Sequence, residues 1–532
     1  MNDFRSRRLD LRRRFALKAF GASAVTGLAL ISGVRAIAAP MFKTYPFQLG
    51  IASGEPAADG FVIWTRIAPE PFEIDYGMPA APIEVRWEVA KDRGMRETVA
   101  NGTAIARPEL GHAVHVEVGG LEPNREYSYR FIAGSERSGV GRSRTTPALG
   151  QPLANARFAV AGCQNYEDGL YTAHRYLARE QVDFVYFYGD YIYEYRGRAA
   201  RGSRDGPVNT VRQHVGQEIY TISDYRRRYA QAKMDVDLQA AHASAPWFVT
   251  WDDHEIDNNW VSNEDQDETP QAAFALRRQM AMQAYYEHMP LRASSMPLGT
   301  QMQLYRQARY GDLLDLNLLD TRSYRTDQPC GDRWGFVGCE AINDPSAEVL
   351  GRAQEQWLYE KLGASQARWQ VLAQQVMMMD LDRIPGEGAA QNLDSWAGYR
   401  TPRNRVLDQI SDLGRDSVVV LTGDEHQNYA GELHLDGQRP GDKPIATEFV
   451  ATSISSQGDG EDQRRDTLAI QRENECLKWF NSQRGYVICD VTPDQWLTEF
   501  KVVDKVSTKG GALSTRMTMS VDHASPGSLA QS

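Results

Sequence analysis

Four short stretches of this chain place metal-binding side chains directly after apolar runs. Phe158 to Ala161 leads into Gly162-Cys163. Phe184 to Tyr188 leads into Gly189-Asp190, with Tyr193 three residues on. Phe248-Val-Thr-Trp251 leads into Asp252-Asp253-His254-Glu255, and Val418-Val-Val-Leu421 leads into Thr422-Gly423-Asp424-Glu425-His426. One strand-end Asp is more often a turn or helix-cap residue, but four such ends in one chain are hard to explain as turns. Together they point to a centre with two or more metal ions. Cys163 as thiolate and Tyr193 as phenolate are anionic donors suited to trivalent iron, and His426 would add a neutral nitrogen. Asp253 and Asp424 offer hard oxygens, which suit calcium, manganese or magnesium, and Asp190 is a candidate bridging carboxylate. Two ions about 4 Å apart can hold an anionic substrate, polarise it and acidify a bound water for in-line attack. His254, beside a ligand, is a candidate to protonate the leaving group; the alternative is a ligand or an orienting residue.

Such a centre needs strands that end on one rim. Residues 157–195 read as a strand–helix–strand unit, with Leu170, His174 and Leu177 on one helix face. Ligands of open α/β sheets sit at the carboxyl ends of strands, so Cys163 and Asp190 should share a rim. Asp190 and Tyr193, three residues apart, would lie on one side of a helical turn. The segment from Arg196 to Asn209, rich in Gly and Arg, reads as a loop over the rim, either a solvated insertion or a basic lid. Helices are expected over Ile222 to Leu238, Gln271 to His288, Gln354 to Leu362 and Arg403 to Leu413. Leu304 to Tyr310 and Leu313 to Leu319 form a hairpin opening a second sheet, with further strands at Trp369 to Met377, Glu448 to Ser453, Gly485 to Val491 and Leu497 to Val503. Residues 155–510 are therefore a catalytic α/β domain of two packed β-sheets flanked by helices, and 511–532 a loose tail.

Ahead of that domain, residues 44–145 read as a separate all-β module, because Phe61 to Thr65, Ile83 to Val89 and Ala113 to Val118 alternate strongly. Gly120 to Phe131 resembles the tyrosine corner of a fibronectin type III-like sandwich. His112 and His115 are expected to be structural or exposed, since this spacing on a strand points them to opposite faces. Pro147 to Pro152 reads as the linker.

Residues 1–39 have the pattern of a twin-arginine-type signal peptide: Arg12-Arg13-Arg14-Phe15, a short apolar run from Ala19 to Val34, and small residues at Ala36 and Ala38. The run is too short and too interrupted for a transmembrane helix. The expected location is thus periplasmic or secreted, with the twin-arginine translocation machinery as a partner and no transmembrane span. The leader carries eight basic and two acidic side chains, so the remaining chain bears a net −17 against −11 for the whole. That balance disfavours nucleic acid as a stable partner. Of five cysteines, Cys330 and Cys339 are spaced for a local disulfide, a Cys476–Cys489 pair is possible, and Cys163 is reserved for metal.

The order of these motifs resembles the alkaline phosphatase D family. Cys163, Gly189-Asp190-x-x-Tyr193, Asp252-Asp253-His254-Glu255 and Gly423-Asp424-x-His426 match it, as do Phe47 to Pro56 and Phe61 to Arg66 at the start of the sandwich. The resemblance implies a calcineurin-like metallophosphoesterase core related to the purple acid phosphatases, with iron and calcium and with twin-arginine export. It gives Cys163, Asp190, Tyr193 and His426 to ferric iron, and Asp190, Asp253 and Asp424 to calcium, with a further calcium through Asn258 or Asn259 left open. Cys163 takes the place of the superfamily's first Asp, Asn165 that of its His, and Asp253 that of the Asn in Gly-Asn-His-Glu. The expected activity is hydrolysis of phosphate mono- or diesters. The alternatives are a phosphodiesterase or phospholipase D-like enzyme acting on lipid or cell-wall phosphodiesters, and a glycan- or wall-binding protein with a structural metal site.

Overall fold

The computed structural model describes residues 42–198, 210–333, 335–414, 417–436, 443–525 and 527–531. The expected leader and most of the Gly- and Arg-rich segment 196–209 lie outside the described residues.

Eight strands come first: β1 (Ile51–Ala57), β2 (Gly60–Arg66), β3 (Ile83–Ala90), β4 (Thr98–Ala106), β5 (Ala113–Val118), β6 (Glu126–Ala133), β7 (Glu136–Arg137) and β8 (Gly141–Arg144). They form two sheets, β1-β2-β5 and β4-β3-β6-β7, with β8 paired to β6. Between the sheets lies a core that includes Trp64, Val85, Tyr129 and Phe131. In β3 the period-two pattern buries Ile83 and Val85 and exposes Glu84 and Arg86. The strands expected here are present, and one of them also joins the next sheet. β1 pairs in parallel with a strand at Pro246–Val249, Ser53 opposite Pro246 and Gly54 opposite Trp247. An edge strand that docks onto the next sheet satisfies its own backbone groups. Gly54 allows the approach, since a Cβ there would lie 2.6 Å from the Trp247 carbonyl oxygen.

The catalytic part continues with β9 (Ala156–Ala161), β10 (Phe184–Phe187), β11 (Pro246–Val249), β12 (Arg306–Tyr310), β13 (Leu314–Leu318), β14 (Trp369–Ala373) and β15 (Val418–Thr422). It ends with β16 (Asn428–Leu433), β17 (Ala446–Val450), β18 (Leu477–Asn481), β19 (Arg484–Val491), β20 (Gln495–Val503), β21 (Leu513–Asp522) and β22 (Leu529–Gln531). One ten-stranded sheet runs β22-β21-β20-β19-β9-β10-β11-β1-β2-β5, and a seven-stranded sheet runs β12-β13-β14-β15-β17-β16-β18. Alternation assigns the layers. Phe158, Phe184 and Tyr186 meet Leu316, Val371 and Val419 between the two sheets. On the other face of the first sheet, Ala159, Val185 and Trp247 pack against Tyr229, Leu238 and Ala281 of helices. On the second sheet, Leu372 and Val420 pack against Leu358 and Val406. The result is helix–sheet–sheet–helix layering, with β9, β10 and β11 mutually parallel in one sheet and β13, β14, β15 and β17 in the other.

Three expectations need correction. Residues 511–532 are not a loose tail, because β21 pairs with β20 along its length and β22 with β21. The inward positions of β21 include Met519 and Val521, and intervening Ser, Thr and Arg residues hide its alternation. The helix expected over Ile222 to Leu238 is two, Ile222–Lys233 and Val236–His242, because Asp235 caps the second by accepting from the amides of Asp237 and Leu238. Of the cysteines, Cys330 and Cys339 form a disulfide, whereas Cys476 and Cys489 are both free. Cys489 lies in β19 in the inter-sheet core and Cys476 packs in the core on the far face of the second sheet. Among the described residues no helix is long and apolar enough to cross a membrane.

Candidate metal centre

The glycines that precede the candidate ligands are explained by close approach. Tyr188, which ends the β10 run, lies between two loops: a Cβ on Gly162 would sit 2.2 Å from its ring and one on Gly423 would sit 2.0 Å from it. Gly189, at φ 144°, has its Cα against Asp252, whose backbone nitrogen would be 2.4 Å from a Cβ. No side chain fits at these three points, so the rim closes around the Tyr188 ring. Each following residue then adopts left-handed backbone: Cys163 (φ 50°), Asp190 (57°), Asp424 (66°) and, two residues later, His426 (56°). Non-glycine residues in this region cost on the order of 1–3 kcal/mol each and persist where surrounding structure fixes them. Glu255, fully buried, does much of the fixing. Its carboxylate accepts from the amides of Asp190 (3.0 Å), Tyr191 (2.5 Å) and Asp252 (2.8 Å).

All the expected site residues converge. Donor atoms of Cys163, Asp190 and His426 lie within 4.8 Å of one another, and so do those of Asp190, Asp253 and His254. Asp190 belongs to both groups, as a bridging carboxylate would. Tyr193 joins the first group through a bend rather than the helical turn expected. Its hydroxyl donates to Asp190 Oδ2 (2.7 Å) and lies 3.2 Å from His426 Nε2 and 2.6 Å from Ser456 Oγ. A third group joins Asp252, Asp253 and Asp424. Asp252, absent from the expected ligand set, therefore sits among the hard oxygens. Asn258 and Asn259, weighed for a further cation, have side chains engaged with Tyr195, Gln266 and Asp332, while the Asn259 amide donates to Asp253 Oδ2 (2.8 Å). Asn165 caps its own turn, accepting from the Glu167 amide.

The electrostatics fit cations. Asp190 Oδ1 and Asp252 Oδ2 are buried and accept no hydrogen bond. Buried acceptors left this way are costly unless something else fills them. Burial, and then the negative charge of Asp190, Asp424 and Asp252, pushes the Cys163 thiol well above its usual range. Burial and neighbouring carboxylates do the same to Asp252 and Asp424. Burial alone would raise Asp190 too, but His254, His426 and Tyr193 outweigh it and hold this carboxyl down to about 2. A thiol, a phenol and several carboxyl groups crowded together form a set whose anionic forms positive charge would stabilise.

Residues not singled out from the sequence complete the site. Arg322, fully buried, donates from Nε to Asp252 Oδ1 (2.6 Å) and from Nη1 to Asp394 (2.9 Å), with Asp253 at 3.5 Å and Asp424 at 3.8 Å. It follows β13, a parallel strand of the second sheet, so the rim rule that found Asp190 could have found it. Glu194, 1% exposed, receives the His254 Nδ1 proton at 2.7 Å. His254 Nε2 lies 3.9 Å from Asp253 Oδ2. Burial disfavours the charged imidazole, yet Asp253, Glu194 and Asp190 together hold His254 well above the usual histidine range. His112 and His115 take no part: His115 Nε2 lies 2.9 Å from the Tyr286 and Met289 carbonyl oxygens.

Known proteins share this sequence and fold. A family model described as PhoD-like phosphatase matches residues 158–500, and the model of that family's N-terminal domain matches residues 34–147. Alkaline phosphatase D of Bacillus subtilis (strain 168) is 47% identical over 503 residues, covering 93% of this chain and 85% of that protein. The solved structure of PhoD matches with a TM-score of 0.89 at 46% identity, over 93% of each chain. Purple acid phosphatase PPD1 from yellow lupin (Lupinus luteus) seeds shares the fold alone, with a TM-score of 0.53 at 12% identity over 89% of this chain and 74% of its own.

Proposed function

The chain belongs to the PhoD-like phosphatase family and is a phosphoesterase, and on that premise we propose that it is an exported enzyme hydrolysing phosphate mono- or diesters at a centre of ferric iron and calcium. The observation that carries the metal reading is Asp190, shared by two donor groups and keeping a buried, unpartnered oxygen. Cys163, Asp190, Tyr193 and His426 would hold the iron. Asp190, Asp253 and Asp424 would hold calcium, with Asp252 close enough to contribute. Bound ions would supply the positive charge that holds an anionic ester and acidifies water.

The chain's own residues give the rest of the mechanism. Asp253, Glu194 and Asp190 favour the imidazolium of His254; its Nδ1 proton is committed to Glu194, which leaves the Nε2 proton as the one free to transfer. From there it can protonate a leaving alkoxide, the general-acid role. Glu255 holds the Asp190 turn, and Arg322 compensates the charge of Asp252 and Asp394. Family membership displaces the reading as a glycan-binding protein with a structural metal. For the N-terminal sandwich we favour a fibronectin type III-like fold, supported by the packing of β1, β2 and β5 against a five-stranded sheet and by Tyr127, whose hydroxyl accepts from the Glu122 amide at 3.0 Å.

Elemental analysis of the isolated protein, alongside turnover of p-nitrophenyl phosphate and bis-p-nitrophenyl phosphate, tests the proposal. Iron and calcium are expected, with a visible charge-transfer band and activity lost to a calcium chelator and restored by calcium. A colourless, fully active protein holding only magnesium or zinc would refute the iron assignment. Faster turnover of the diester would favour the phosphodiesterase reading. Export is checked separately: lysine at Arg12, Arg13 and Arg14 should leave an uncleaved cytoplasmic precursor, and normal export of that variant would exclude the twin-arginine route.

A further inference from the structure

Away from the metal centre, the helix Gln271–His288 carries two adjacent arginines with opposite fates. Arg277 is paired, at 2.6 Å from Asp257 and 3.4 Å from Glu218. Arg278 is 5% exposed, and among the described residues it makes no ion pair. Its Nη1 donates to Asn263 Oδ1 at 2.6 Å, its Nε is buried with no partner, and its guanidinium lies 5.1 Å from the Trp260 ring centroid. Arg278 lines a cavity of about 570 Å³ between that helix, the segment 294–303 and Ser323-Tyr324. Among the described residues no acidic side chain lines this cavity, although the chain as a whole holds 70 acidic and 59 basic residues. None of its lining residues is a candidate metal ligand.

Burial disfavours the charged guanidinium and lowers the Arg278 pKa; the nearby Asp320 carboxylate, which forms no ion pair with it, offsets this only in part. The missing partner is an anion, and a guanidinium matches a planar pair of oxyanion oxygens. The hydroxyls of Ser262, Thr300 and Tyr324 line the same space and can donate. Opposite them are Met282, Met296, Met302 and Leu298, of which Met296 is 40% and Leu298 79% exposed. Flexible thioethers of this kind adapt to an apolar body.

We propose that this cavity is a second oxyanion site, separate from the metal centre, that takes a phosphate group, either free or carried on an apolar organic body. The site goes beyond the proposed hydrolysis and does not require it. Equilibrium dialysis of the metal-loaded enzyme against radiolabelled inorganic phosphate tests it, using wild type, Arg278→Gln and Met296→Trp, the last narrowing the mouth without touching the arginine. Wild type should show two classes of phosphate site, and Arg278→Gln should lose one of them, a weakening of about ten-fold or more. Hydrolysis of p-nitrophenyl phosphate and metal content should stay at the wild-type level. Octyl phosphate that displaces label from this class more tightly than inorganic phosphate does, with the advantage lost in Met296→Trp, identifies an organic phosphate as the ligand. Equal displacement identifies free phosphate. Phosphate binding left unchanged in Arg278→Gln with wild-type melting, whether wild type shows one class of site or two, overturns the proposal. If Arg278→Gln fails to fold, unchanged binding of both anions by a folded Met296→Trp overturns it instead. Failure of the metal-centre reading would show differently, as altered metal content or hydrolysis in the wild type.

Discussion

Replacing Glu194 with Gln separates the proton-donating role of His254 from its position. The substitution keeps the side-chain shape, but its single oxygen can accept from only one of the two donors the carboxylate serves, His254 Nδ1 at 2.7 Å from Oε2 or the Asn258 amide at 3.2 Å from Oε1; turned toward His254 it keeps the shorter bond and gives up the longer. At His254 it is the charge that is lost. Both partners are almost fully buried, so water cannot replace it. A hydrogen bond to a charged group is worth about 1.5–3 kcal/mol, and each ~1.4 kcal/mol is a factor of ten. The protonated imidazole should therefore become about 10–150 times harder to form. A poor leaving group needs that proton and a good one does not, so kcat/KM for an alkyl phosphate should fall by about that factor. Turnover of p-nitrophenyl phosphate should fall by roughly three-fold or less. In the double variant with His254→Ala, the Glu194 change should add almost nothing, because it acts only through His254. The assay is kcat/KM on both substrates for wild type, both single variants and the double variant, with metal content measured in each. Equal losses on the two substrates, or losses that multiply in the double variant, would refute the general-acid reasoning. Loss of metal from His254→Ala would make that residue a ligand.

Two further outcomes follow from groups around the site. Arg322 is the buried cation facing Asp252, Asp253, Asp394 and Asp424, so Arg322→Met should cost about 3–5 kcal/mol in denaturant unfolding of the metal-free protein, and a loss below about 1 kcal/mol would contradict this account. His174 is fully buried and burial drives its pKa down to about 3, so the folded chain refuses a proton that the unfolded chain accepts below about 6.5. Its contribution is present above that pH and is lost as pH falls toward 3, at up to ~1.4 kcal/mol per pH unit. Unfolding free energies measured from pH 7 to 4 should therefore decline less steeply in His174→Gln, and identical slopes would refute the assignment.

The candidate ligands were legible in the sequence because their signal is local. A glycine, then Cys163, Asp190 or Asp424, at the end of an apolar run reports a strand end, and parallel strands bring their carboxyl ends to one rim whatever the loops between them do. The glycines themselves are demanded by the Tyr188 ring and the Asp252 backbone, so the motif and the close packing have one cause. The Cys330–Cys339 bond was legible for a similar reason, its ends being only nine positions apart. What holds the ligands was not legible. Glu255 lies 65 residues from the Asp190 amide it clamps, Arg322 70 from Asp252, and Ser456 263 from Tyr193. In sequence such residues have the same character as any solvated polar side chain, because burial depends on which loops the fold brings together. The union of β1 with β11 and the pairing of β21 with β20 were likewise decided by edges seeking partners, not by any pattern within the strands. Local alternation shows that a segment can be a strand, and only the tertiary structure decides which neighbour satisfies its backbone.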